Sequence, residues 1–276
     1  MKLRLFFLIF ILSCTVYNKE PSRHERIAAE ISDSYNNGGY VPLISDIAPE
    51  LEFNDAYDIQ KHFVKILLKD DQIAGYKTGL ASKKAQNNFH VDSPISGVLF
   101  KSGVNADNSV INISDYFKML VETELGYKIA EKITIPIKNT DELYKKISYI
   151  MPVIELPDVR FAENKYSKLK DVVAANICSA NFITGKEIKF KDYSPGNIDL
   201  SLKLNDKEIN MVSISDSMEY QKELLMWLIN KQLENGWKIE PGQLLITGAM
   251  GKINIGRVGN YEADYGPLGT VNFEVR

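Results

Sequence analysis

The chain of 276 residues contains little cysteine, little histidine and only a small excess of acidic charge. Its two cysteines, Cys14 and Cys178, are too few to staple a fold, and the first falls in a leader segment. The three histidines, His24, His62 and His90, are scattered without metal-ligand spacing, so the sequence offers no histidine-rich zinc motif. A net charge of −3, a pI near 5.8 and the lack of any basic run exclude a nucleic-acid partner. There is no internal repeat and no Gly-x-Ser-x-Gly elbow for a serine nucleophile. Gly248-Ala249-Met250-Gly251-Lys252-Ile253 lacks both the glycine spacing and the hydroxyl of a phosphate-binding loop.

What is present begins at the N-terminus. Lys2 and Arg4 precede an unbroken apolar run, Leu5 to Leu12, followed by Ser13 and Cys14. A positive start, a short apolar core and a small residue at the cut describe an export signal. The run is too short to span a bilayer, which takes about 20 apolar residues. Ile11-Leu12-Ser13-Cys14 looks like a bacterial lipobox with Cys14 as the lipidated residue. The expected organisation is a signal over 1–13, a lipidated tether over 14–23 and one domain over 24–276. The expected address is the cell envelope, periplasm-facing and membrane-held through the anchor.

Hydrophobic periodicity places helices and strands along this domain. Ser22 caps a helix carrying Ile27, Ala28 and Ile31, and a second helix starts at Asn54. Strands are expected at 73–79, 97–100, 117–130, 151–156, 176–184, 244–247 and 270–275. Short helices are expected at 82–89 and 141–150, and a long one at 216–233. Leu200–Leu204 and Glu208–Val212 flank Asn205-Asp206-Lys207 as a hairpin. Helices before and between bunched strands give an α+β class.

Three acids and a lysine carry the candidate chemistry. In a strand, Glu122 and Glu124 point to the same face, with roots roughly 6.5–7 Å apart. Two such carboxylates can converge on a hard cation, although a solvated strand face would look the same. Glu155 is a single acid within the apolar run Ile150–Pro157, where a carboxylate must be paired, protonated or bound to metal unless the strand is an edge facing water. Lys77 lies between glycines in Gly75-Tyr76-Lys77-Thr78-Gly79, which permit close approach of a ligand or backbone. On its own it reads more readily as a solvated surface lysine.

In their order and spacing these segments resemble the 2-oxopent-4-enoate hydratases and 4-oxalocrotonate decarboxylases of the fumarylacetoacetate-hydrolase superfamily. The matching pieces are Phe53–Gln60, Gly75–Leu80, Val91-Asp92-Ser93-Pro94, Glu122-Thr123-Glu124, Pro152–Glu155 with Arg160, Phe182–Gly185 and Thr247–Gly251. The resemblance implies a mixed β-roll with flanking helices and a homo-oligomer. It implies Mg²⁺ or Mn²⁺ on Glu122, Glu124 and Glu155, with Lys77 catalytic and Asp92, Arg160 and Gly248 contacting substrate. The implied activity is a metal-dependent lyase acting on a small unsaturated 2-oxo acid through a metal-stabilised enolate. Ile95 stands where many hydratases carry an Asp, which leans toward decarboxylation. Ala175-Asn176 replaces the usual Asp-Asn pair. An acylpyruvate-type carbon–carbon hydrolase and a non-catalytic envelope module binding an oxo acid are the alternatives.

Overall fold

A computed structural model describes residues 20–165, 167–193, 199–213 and 217–276, with 217–220 described in backbone only. The leader and Cys14 lie outside the described residues.

Helix α1 (Arg23–Asn36) starts where Ser22 accepts from the Glu25 amide (3.2 Å) and Glu25 takes the Ser22 amide (2.6 Å), a reciprocal cap. After α2 (Ile44–Ile47) comes α3 (Phe53–Leu67), whose Ala56, Ile59 and Phe63 pack against Ile27, Ala28 and Ile31 of α1. Shorter helices follow: α4 (Lys83–Asn88), α5 (Thr140–Lys145) and α6 (Leu169–Ala174). The long α7 (Ser217–Glu234) comes last. Together α1, α2, α3 and α6 enclose a helical core that also takes in Ile95, Ile177 and Cys178.

The strands form two sheets. In chain order they are β1 (Ile73–Gly79), β2 (Ile95–Phe100), β3 (Val104–Ala106), β4 (Ser109–Ile111), β5 (Leu120–Ile129) and β6 (Ile147–Leu156). Then come β7 (Asn181–Thr184), β8 (Ile188–Lys189), β9 (Asp199–Leu204) and β10 (Lys207–Ser213). The last four are β11 (Leu244–Ile246), β12 (Asn254–Ile255), β13 (Gly259–Asp264) and β14 (Thr270–Val275). The larger sheet runs β2-β1-β11-β5-β6-β7-β3, with β12 added to β5 and β8 to β6. The smaller runs β10-β9-β13-β14-β4. Val121, Leu125, Tyr127, Ile150 and Ile154 of the larger sheet share the main core with Leu200, Leu202, Tyr261 and Val271 of the smaller, and with Leu225, Leu228 and Ile229 of α7. The α+β class and the mixed sheet with flanking helices agree with expectation.

Alternation along β5 separates two environments. Val121, Leu125, Tyr127 and Ile129 enter the main core, so Glu122, Glu124 and Gly126 face the other way. On that second face Gly126 lies opposite Met151, and a side chain there would press on Val153, Leu244 and Met151. These residues, with Leu99, Phe182 and Ile246, make a small apolar cluster beside the acids.

Two expected elements differ. The helix read at 141–150 stops at Lys145, and Ile147 to Ile150 instead join 151–156 in the ten-residue strand β6. β-branched and aromatic residues in Ile147-Ser148-Tyr149-Ile150 favour the pleated surface against β5. The strand read at 176–184 begins only at Asn181, because Asn176, Ile177 and Cys178 form a left-handed turn. Strand β13 was not expected, although its buried Tyr261 and Ala263 alternate with exposed neighbours.

Candidate metal centre

The β5/β6 register sets Glu122 directly opposite Glu155 and Glu124 opposite Val153. Directly opposed antiparallel residues share a face with Cβ atoms about 4.5–5.5 Å apart. Glu124, two residues along β5, joins them. One carboxylate oxygen from each of Glu122, Glu124 and Glu155 lies within 4.8 Å of the others. Glu124 and Glu155 are buried and Glu122 partly so.

Lys77 arrives from β1, two strands away, through β11: Lys77 pairs with Ile246, and Ile246 with Gly126. Its ammonium donates to Glu155 Oε1 and to the Ile177 carbonyl (3.2 Å). Burial alone would lower the Lys77 pKa, but Glu155, Glu122 and Glu124 outweigh it and hold the lysine above its usual value. Burial and the Glu155 charge push Glu122 up to about 7, against the pull of Lys77. Glu124 is pushed well above the carboxylate range by burial, Glu155 and Glu122.

The donor set fits a hard divalent cation. Glu124 Oε2 accepts from the Gly248 amide (2.7 Å), while Glu124 Oε1 and Glu155 Oε2 are buried and accept from no described residue. Buried carboxylate oxygens left without a donor cost free energy that a cation removes. Three carboxylates supply half of an octahedral oxygen shell, the arrangement that suits Mg²⁺ and Mn²⁺. The Tyr265 hydroxyl donates to the Val153 carbonyl (2.7 Å) and accepts the Glu124 amide (3.2 Å), holding β5 and β6 together at this point.

The remaining expected site residues are placed differently. Gly248, at φ +92°, reaches the acid Glu124 through its amide, and a Cβ there would lie 2.7 Å from that of Ala81. Asp92 is exposed in the bend before β2, where its backbone carbonyl accepts from Lys83 (3.4 Å). The Arg160 guanidinium donates to Asp158 (2.6 Å) and stacks between Tyr35 and Phe117. The structure brings neither Asp92 nor Arg160 onto the three carboxylates. Sequence reasoning missed the Ile177 carbonyl and Tyr265, neither of which has a local signal. A further group, His24, Asp55 and Asp58, joins α1 to α3, but it is solvent-accessible and His24 already pairs with Asp55 (3.3 Å).

No protein-family model matches the chain. Among curated proteins it is 24% identical over 261 residues to 2-oxo-hept-4-ene-1,7-dioate hydratase of Escherichia coli, covering 90% of this chain and 96% of that one. It is 23% identical over 212 residues to 4-oxalocrotonate decarboxylase of a Pseudomonas species, covering 76% and 80%. Among solved structures, 4-oxalocrotonate decarboxylase from Pseudomonas putida complexed with magnesium and adipate superposes with a TM-score of 0.85, at 23% identity, covering 94% of this chain and all of that one. Fumarylpyruvate hydrolase from Pseudomonas aeruginosa in complex with Mn²⁺ and pyruvate gives 0.53 at 13% identity, covering 72% and 88%. The chain thus has the fold of the fumarylacetoacetate-hydrolase superfamily and is similar in sequence, over most of its length, to 2-keto-4-pentenoate hydratases and to a 4-oxalocrotonate decarboxylase.

Proposed function

We propose that the protein is a divalent-metal-dependent lyase acting on a small unsaturated 2-oxo acid. The observation that carries this reading is the convergence of Glu122, Glu124 and Glu155 within 4.8 Å, with two buried carboxylate oxygens lacking a donor. The similar hydratase and decarboxylase, and the magnesium and Mn²⁺ in the complexes of two similar structures, support it. A bound Mg²⁺ or Mn²⁺ would act as a Lewis acid, polarising the carboxylate and keto oxygens of the substrate.

The chain's own residues then do the following. Glu122, Glu124 and Glu155 would hold the cation; the Gly248 amide orients the Glu124 carboxylate, and the Tyr265 hydroxyl holds the Glu124 backbone. Lys77 offers a fixed positive charge and a proton beside them, suited to an anion developing on the substrate and to proton transfer along its conjugated chain. The apolar cluster of Leu99, Met151, Val153 and Phe182 lowers the local dielectric and strengthens both interactions.

Decarboxylation is favoured over hydration. Ile95, at the point of β2 where many hydratases carry an aspartate, is buried against Gly79 and the helical core, so no carboxylate activates water there. Loss of CO₂ needs no such base. The proposed setting is the envelope, with the protein anchored through Cys14 and assembled as a homo-oligomer. The run Leu5–Leu12 before Ser13-Cys14 supports the anchor.

The test uses residues 20–276 loaded with Mg²⁺ or Mn²⁺ and offered 2-hydroxypenta-2,4-dienoate or 2-oxohex-3-enedioate. Dienol absorbance and product mass are followed, with Glu124→Ala as control. Metal-dependent CO₂ loss or water addition that vanishes in the variant supports the lyase. A protein that binds no divalent cation sinks it.

A further inference from the structure

Among the described residues, the costliest non-glycine backbone conformations lie close in sequence or space to Lys77. Asn108, Asn205 and Asp206 in tight turns, and His90 (φ 54°) in the turn after α4, have positive φ, a conformation that Asn, Asp and His adopt more readily than other side chains. Leu80 (φ 52°) and Ile177 (φ 43°) have no such excuse. Ile177 is β-branched and is the middle of three successive left-handed residues, between Asn176 (54°) and Cys178 (57°). Each such residue costs on the order of 1–3 kcal/mol and persists only where its surroundings impose it. Leu80 lies three residues beyond Lys77, and the Ile177 carbonyl accepts from the Lys77 ammonium.

Several contacts impose the turn. The Asn176 side chain, 2% exposed, accepts the Val98 amide (2.7 Å) and donates to the Val98 carbonyl (2.9 Å), clamping the turn to β2. Gly97 makes room for it: a Cβ there would lie 2.6 Å from Ile177 Cγ1 and 3.0 Å from the Asn176 carbonyl. The Cys178 carbonyl accepts from the Asp158 amide (2.9 Å), and the Ile177 side chain is buried in the helical core. None of these contacts engages the Ile177 carbonyl itself, yet together they leave it facing Lys77.

A lysine ammonium on a flexible four-carbon stem, next to three acids, has every electrostatic reason to collapse onto them. Beyond the Glu155 Oε1 it already binds, it would then occupy the further oxygens a cation needs. A peptide carbonyl is a neutral acceptor that neither titrates nor attracts the cation away from the carboxylates. We propose that the turn Asn176–Cys178 is a positioning device for Lys77. Asn176, by clamping β2, fixes the Ile177 carbonyl as a second acceptor and so sets where the ammonium stands relative to Glu122, Glu124 and Glu155. The proposal rests on the reading of Lys77 and the three glutamates as the functional centre. Asn176 and Gly97 act through Lys77 and touch no substrate.

The molecule supplies its own control. Asn230 of α7 makes the same pair of bonds to Ile137, accepting from its amide (2.8 Å) and donating to its carbonyl (2.9 Å), and touches none of the site residues named above. Asn176→Ala and Asn230→Ala therefore delete the same chemistry in two places. The first readout is the ¹⁵N resonance of the Lys77 ammonium, assigned by its loss in Lys77→Arg and recorded with chelator and with Ca²⁺. The second is deuterium exchange at C3 of 2-oxobutyrate with Mg²⁺. Asn176→Ala shifts or broadens the Lys77 resonance and lowers kcat on the order of 10²-fold with KM within about twofold, the scale of a misplaced catalytic group. Asn230→Ala lowers thermal stability comparably and leaves both readouts unchanged. Gly97→Ala, which pushes on the turn while keeping the clamp, is the second variant should Asn176→Ala not fold, and it moves the same resonance. If Asn176→Ala or Gly97→Ala is stably folded with a Lys77 resonance identical to that of the wild type, the turn is structural only and the proposal is wrong. A wild type without exchange activity would refute the lyase reading, while the resonance still decides the role of the turn.

Discussion

Lys77→Met removes the cation set among three acids while nearly preserving shape, and its consequence can be worked out from the structure. Lys77 donates to Glu155 Oε1 and draws on the charges of Glu122 and Glu124. Breaking a buried pair by removing one partner costs about 3–5 kcal/mol, because the remaining charge is left uncompensated. For a domain of this size that is a fall in Tm of roughly 6–9 °C. The sign with respect to pH follows. Without the lysine the acids bind protons more readily, so the loss is largest near pH 8 and shrinks toward pH 6, where protonation relieves the repulsion. A divalent cation reverses the loss: at 100 times its Kd it returns about 2.7 kcal/mol, and the variant gains more from Ca²⁺ or Mg²⁺ than the wild type does, since no ammonium competes for Glu155. The assay is thermal unfolding of both proteins in chelator, Ca²⁺ and Mg²⁺ at pH 6 and 8. A variant as stable as the wild type in chelator, or indifferent to cations, would show that the acids are already neutral or solvated and refute the charge argument.

Glu155→Gln weakens Mn²⁺ binding measured by calorimetry by at least tenfold, since it removes a charged donor and leaves Lys77 without its partner. The Glu122 pKa of about 7 is raised by folding, so the native state holds its proton more tightly than the unfolded chain. The metal-free protein therefore loses stability as pH climbs toward 7, and cation affinity falls as pH drops below 7; urea midpoints and Mn²⁺ titrations at pH 5.5 to 8 read both. Gly75→Ala would place a Cβ 1.8 Å from the Leu244 carbonyl, splitting β1 from β11 and separating Lys77 from β5. Loss of soluble folded protein is expected, and a normal circular-dichroism melt would contradict it. Asp171 accepts from the Ser45 amide (2.7 Å), the Ser45 hydroxyl (2.8 Å) and the Lys168 amide (2.6 Å), so Asp171→Ala costs several kcal/mol in the helical core by urea unfolding without changing cation affinity.

Local chemistry wrote a good part of this protein legibly. The reciprocal cap at Ser22 and Glu25, the hairpin around Asn205-Asp206 and the shared face of Glu122 and Glu124 each follow from spacings of two or three residues. The oddity of Glu155 in an apolar run was visible because burial of a lone acid is costly wherever it happens. Ile147 to Ile150 were misread because four residues between a helix and a strand satisfy either period, and only packing on β5 decides.

What tertiary structure alone decided is how separated pieces meet. The antiparallel register sets Glu155 across from Glu122, and a one-residue slip would have turned it into the main core. Strand β11, from residues 244–246, enters between β1 and β5 and so fixes the distance from Lys77 to the acids. The left-handed turn at Asn176–Cys178 runs against the local preference of Ile177 and exists because β2, with Gly97 and Val98, holds it from 78 residues away in sequence. Spacing along a chain determines which side chains share a face. Pairing energies summed over distant strands determine which faces confront each other, and these depend on residues no local window contains.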